Sequence, residues 1–73
     1  MKIEVIFHWD ERNFDTWDIE VESLDQAVEM AIDEWLSEGG DGDPLFEFYA
    51  VDENGCRGEL LRSGDSDDIQ CAA

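Results

Sequence analysis

Carboxylates are the side chains this sequence supplies in quantity, and their spacing decides what chemistry they could do. The chain carries 21 Asp and Glu against 4 Lys and Arg, a formal net charge of −17 over 73 residues. Asp25, Glu29 and Asp33 recur every four residues, followed by Glu34 and Glu38, while Asp18, Glu20 and Glu22 recur every two. On a helix the first set stacks along one ridge about 6 Å apart. On a strand the second set projects from one face about 6.6 Å apart. Rows of this kind hold negative charge at regular intervals, as duplex DNA does with one charge per about 1.7 Å of axis. A protein that grips phosphates with Lys and Arg would grip such rows by the same charge-assisted hydrogen bonds. These eight residues are therefore the candidate partner-binding set. The competing reading makes them the solvated faces of a charge-rich protein.

Other chemistries find little material. His8 is the one histidine, and a general base needs a nucleophile and an oxyanion donor within reach. The chain has no nucleophile elbow and no glycine-rich phosphate loop leading into a helix. Acids this abundant make any one pair uninformative for acid–base work. No catalytic residue and no cofactor is expected. Cys56 and Cys71 make neither a disulfide framework nor a zinc site, and read as two thiols in a reducing cytosol. A bridge joining the last hairpin to the end of the chain is the alternative. Asp41, Asp43 and the run Asp65, Ser66, Asp67, Asp68 offer oxygens for a hard cation. They lack the twelve-residue calcium-loop spacing with its closing Glu, so no metal site is assigned.

Several elements must position the acids. Residues 2–9 alternate, with Ile3, Val5, Phe7 and Trp9 on one side and Glu4, Ile6 and His8 on the other. Residues 14–22 alternate again, Trp17, Ile19 and Val21 opposing Asp18, Glu20 and Glu22. Period two with branched and aromatic residues predicts an antiparallel hairpin with one apolar face. Ser23 reads as a helix N-cap with Gln26 as its capping-box partner. Leu24, Ala27, Val28, Ala31, Ile32, Trp35 and Leu36 then form one apolar stripe, ended by Gly39 and Gly40. No Lys or Arg lies in this helix, so each i,i+4 acid pair opposes it by about 0.2–0.5 kcal/mol. Residues 45–51 predict a third strand, with Phe46 and Phe48 facing one way and Leu45 and Tyr49 the other. Asn54-Gly55 signals a hairpin into a return strand over 56–62, weakened by Gly58.

The expected fold is α+β: one helix on an antiparallel four-stranded sheet, in the order ββαββ, with strand order open. The expected domain is 1–62, followed by a mobile acidic tail, 63–73. At this length the core is marginal and leaves little room for a deep substrate cavity. Yet 42% of residues are hydrophobic, with three Trp, four Phe and one Tyr, so the chain should fold rather than behave as an acidic disordered tail. Solubility alone asks for a net charge of about 2 to 8 in a small domain. Self-repulsion at −17 opposes folding, so the excess calls for a reason.

In length, charge and the rows Asp18/Glu20/Glu22 and Asp25/Glu29/Asp33, the chain resembles the small acidic inhibitors that phages and mobile elements use against host nucleases. These are the DNA-mimic anti-restriction, anti-CRISPR and uracil-glycosylase-inhibitor types. The resemblance is one of class, without a shared motif. It implies a non-enzymatic blocker in the host cytosol whose partner is a basic nucleic-acid-binding protein: a CRISPR effector first, a restriction or repair enzyme next. It implies no direct contact with nucleic acid; and because no stretch approaches the roughly 18 uncharged apolar residues of a membrane span, no membrane contact is expected. An apolar patch of Ile6, Phe14, Leu45 and Tyr49 on the open sheet face would anchor the inhibitor or make a homodimer. Two rivals stand beside this reading: an interaction domain adapted to a salty cytosol, and a cation-binding regulatory module.

Overall fold

A computed structural model describes residues 1–10, 12–40, 42 and 44–70. Four strands and two helices follow in the order β1 (Lys2–His8), β2 (Phe14–Glu20), α1 (Leu24–Ser37), β3 (Leu45–Val51), β4 (Arg57–Asp65) and α2 (Ser66–Gln70). The strands form one antiparallel sheet in the order β2-β1-β3-β4. The α+β class and the ββαββ framework are as the periodicities predict, with a second helix added.

Register explains which side chains meet. Val5 pairs with Trp17 on one side and Phe48 on the other, and Phe7 with Phe46. This face of the sheet carries Ile3, Val5, Phe7, Phe46 and Phe48, and α1 lays Ala27, Val28, Ala31 and Ile32 against it. Phe7 stacks on Trp17 with centroids 5.8 Å apart and tilts against Phe46 at 5.1 Å. Leu36, expected in the apolar stripe, is exposed, and Trp9 lies just past the end of β1, also exposed. Ile6 sits on the open face yet is buried, because it lies on a central strand between Thr16 and Glu47.

Two turns are built by aspartates. Asp10 Oδ1 accepts the amide N–H groups of Arg12 and Asn13, and Oδ2 accepts the Asn13 side-chain amide. Asp52 Oδ1 accepts the N–H groups of Asn54 and Cys56 at 2.9 Å, while Gly55 N–H donates to the Asp52 carbonyl. Only Gly55 in this turn has positive φ, at 85°. It is therefore a longer loop ending in a left-handed glycine, rather than the two-residue turn that Asn-Gly suggests, which needs positive φ at both residues.

The expected tail is the main difference. Residues 63–65 continue β4, pairing Ser63 with Glu47, Gly64 with Phe46 and Asp65 with Leu45. Residues 66–70 form α2, and its Ile69 is 0% exposed within the core. Asp65 Oδ1 accepts the N–H groups of Asp67 and Asp68, capping the helix that follows. A polar run hid one buried apolar residue, so the chain stays in the fold through Gln70. Cys56 is exposed, and Cys71, on which any bridge would depend, lies outside the described residues.

Candidate functional site

Both ends of α1 are fixed by local bonds. Gln26 N–H donates to Ser23 Oγ at 3.2 Å, and the Gln26 side chain accepts from the N–H of Glu22 rather than from Ser23. At the far end, Gly40 N–H donates to the Trp35 carbonyl and Gly39 N–H to that of Leu36, both at 3.1 Å. This is the Schellman arrangement, in which positive φ at Gly39 and Gly40 closes the last turn. The ridge Asp25, Glu29, Asp33 therefore stands exposed on a well-defined helix. One cation reaches it: Arg62 Nη1 lies 3.4 Å from Asp25 Oδ1 and also donates to the Ile69 carbonyl at 3.1 Å. Among the described residues no cation lies within 4 Å of Glu29, Asp33, Glu34 or Glu38.

The strand row is divided. Asp18 and Glu20 project from the sheet face opposite α1, Asp18 beside Glu4 and Glu20 beside Lys2. Glu22 lies beyond β2, at the helix start. Together with Asp25, Glu29, Arg62 and Ile69 it lines a recess of about 640 Å³ between the start of α1 and α2. Glu34 lies on the other flank of α1, in a cleft with Trp17 and Ile19 of β2, and Glu38 stands near Asp15. The eight acids thus fall into three places: Glu22, Asp25, Glu29 and Asp33 on the outer helix surface, Glu34 and Glu38 on its β2 flank, and Asp18 and Glu20 across the sheet. The domain measures 34 × 28 × 19 Å, and with acids on both layers of it one flat surface does not meet all of them.

The open sheet face holds a bonded cluster that strand-by-strand alternation does not reveal. His8 Nε2 lies 2.7 Å from Glu47 Oε1, and the Tyr49 hydroxyl donates to Glu47 Oε2 at 3.0 Å. The Arg57 guanidinium stacks 4.8 Å over the Tyr49 ring and donates to Glu4 Oε1 at 2.6 Å. The His8 hydrogen bond holds the Glu47 carboxyl below its usual range against the opposing effect of burial, with the Tyr49 bond helping. The same Glu47–Tyr49 bond raises the phenol above its ordinary value, with partial burial adding to it. Exposed Phe14, Leu45 and Leu60 surround this cluster, the first two flanking His8 in register. The arrangement braces three strands. Among the described residues, the hydrogen-bond partner of His8 in this cluster is the Glu47 carboxylate, not a hydroxyl or thiol. Finding it from sequence would have required knowing that β1 lies between β2 and β3.

Among the described residues no group of three His, Cys, Asp or Glu is arranged to hold a metal ion, and no helix is long and apolar enough to cross a membrane. Asp41 and Asp43 lie outside the described residues, and Asp65 is engaged in capping α2.

Comparison with protein-family models, curated proteins and solved structures finds no match.

Proposed function

We propose that this protein is a non-enzymatic acidic inhibitor that imitates nucleic acid and blocks a basic nucleic-acid-binding groove, a CRISPR effector being the first target to test and a restriction or repair enzyme the next. The observation that carries this reading is the ridge Asp25, Glu29, Asp33 on α1. Its carboxylates are exposed, regularly spaced on a capped helix and, among the described residues, met by a cation only at Asp25. Like-charge pairs at this spacing weaken a helix, and nothing in the helix relieves them, so a partner that supplies the missing cations would gain what the free protein lacks. Charge density points the same way. A net charge of −17 along a longest dimension of 34 Å is roughly one charge per 2 Å, against about 1.7 Å in duplex DNA.

The test is capture of tagged protein on beads in bacterial lysate at low salt, eluted with rising salt and read by mass spectrometry. One nucleic-acid enzyme, retained after abundant basic proteins have washed off and displaced by competing DNA or RNA, supports the reading. Elution of only abundant basic proteins, all early in the gradient, defeats it. Replacing Asp25, Glu29 and Asp33 together by Lys is expected to abolish retention while leaving the circular-dichroism spectrum intact.

One observation favours a second reading. Acids lie on both layers of the domain, as they would if the charge served hydration in concentrated salt. A domain of that kind should unfold as salt is removed, whereas full folding at about 50 mM salt, where the Debye length is still above about 10 Å, counts against it.

A further inference from the structure

The sheet is covered unevenly. On the β4 side α2 fills the space beside α1 with Ile69. The equivalent space on the β2 side is open, a cleft of about 300 Å³ floored by Val5, Trp17, Ile19 and Ala31 and rimmed by Met30 and Glu34. Trp17 and Ile19 are only half-buried there, and Met30 is 43% exposed. β2 is also an edge strand, and its seven residues pair with β1 in unbroken register. β4, the other edge, has register shifts, which disturb a strand as a template for further pairing.

We propose that the free edge of β2 accepts an extended segment of the partner as a fifth strand, one that alternates apolar and basic residues. Side chains on an added strand alternate between the two faces of the sheet. One set would fall into the cleft beside Trp17 and Ile19 and complete the core on that side. The other would fall on the open face beside Asp18 and Glu20, where the sheet carries carboxylates. A Lys or Arg there faces opposite charge across the strand pair, the arrangement that stabilises cross-strand neighbours. A second copy of this chain fits badly, since it would bring a further −17 against Asp15, Asp18 and Glu20. The choice of a basic segment rests on the reading of the protein as a ligand for basic partners; the cleft and the free edge do not.

Two seven-residue peptides of equal charge separate these possibilities, one alternating Lys with Leu and the other Lys with Ser, each titrated at low salt into nitrogen-15-labelled protein. The Lys/Leu peptide is expected to bind at least about tenfold more tightly, reflecting burial of one or more leucines. It should shift the signals of Trp17, Ile19 and Met30 and slow exchange of the outward amides of β2. Met30→Gln, which removes apolar surface from the cleft rim without changing the charge, should reduce that advantage without changing the affinity for the Lys/Ser peptide. Equal affinities with the cleft signals unmoved, or shifts confined to Phe14, Leu45 and Leu60, overturn the strand site and leave the acidic reading standing. Absence of binding by both peptides overturns the strand site and the basic-partner reading together. Concentration-dependent shifts of β2 in the protein alone, with a dimer in sedimentation, would make a second copy the occupant and overturn the proposal.

Discussion

Glu47 binds His8 through one carboxylate oxygen at 2.7 Å and Tyr49 through the other at 3.0 Å, tying β1 to β3 on the face of the sheet that α1 does not cover. Both bonds favour the charged carboxylate, which is why its pKa falls below the usual value despite partial burial.

This relationship sets an acid dependence of stability. A carboxyl whose folded pKa lies below its unfolded value contributes stability that is present above the unfolded pKa and is lost as pH falls through the folded one. Wild type should therefore exceed Glu47→Gln in urea midpoint at neutral pH. The gap should narrow from about pH 4 downward, where free glutamate begins to take up protons. A gap independent of pH between neutrality and pH 2 would mean that the two bonds do not distinguish the charged from the neutral carboxyl.

Ile69 carries a second prediction. Ile69→Ala removes a fully buried side chain and should cost about 2–5 kcal/mol in urea unfolding. Gly64→Ala should act on the same helix by another route. Gly64 has φ of 141°, and a Cβ there would come within 2.5 Å of the Asp68 Cβ, so the two changes should be less than additive. Full additivity would show that β4 and α2 respond independently.

Glu29 offers a test of the strain in the acidic ridge. Glu29→Lys converts two like-charge i,i+4 neighbours, Asp25 and Asp33, into opposite-charge pairs. It should stabilise the domain by about 1–2 kcal/mol at low salt, with a rise in Tm. The gain should shrink towards zero in about 1 M salt, where the Debye length is near 3 Å. A loss of stability would mean that the ridge is not under electrostatic strain.

Ser23 bears on the helix start. Ser23→Ala should cost about 1 kcal/mol by leaving the Gln26 N–H without its partner, and Ser23→Asp should retain most of the wild-type stability. Equal losses in both variants would point to the hydroxyl itself rather than to capping.

These sites also mark how far the sequence could be read. Ser23, Gly39 and Gly40 announce α1 because capping is local, and the alternation of 2–8 and 14–20 announces the hairpin for the same reason. The β3–β4 hairpin was legible, but its last residues and α2 were not. Five residues with Ile69 as their one large apolar side chain have no period to detect, and what makes them helical is packing against a core assembled elsewhere. The acids were legible as rows, not as surfaces. Asp18 and Asp25 lie seven residues apart in the chain yet on opposite layers, because the strand ends at Glu20 and the chain turns over the edge of the sheet before α1 begins. The Glu47 cluster was hidden by strand order, which depends on the energetics of the whole sheet.

The order β2-β1-β3-β4 has a kinetic consequence. Each outer pair is a local hairpin, but the central pair joins Ile3 to Ala50 and closes the longest loop in the sheet. Formation of the two hairpins is fast, and their meeting is the step that bears the loop-closure entropy. Both halves of the chain are acidic, so they approach against mutual repulsion. The encounter between halves, rather than the building of either, should therefore limit refolding. Dissolved salt should hasten it by screening the approach, much as it would hasten the association of two separate anionic molecules.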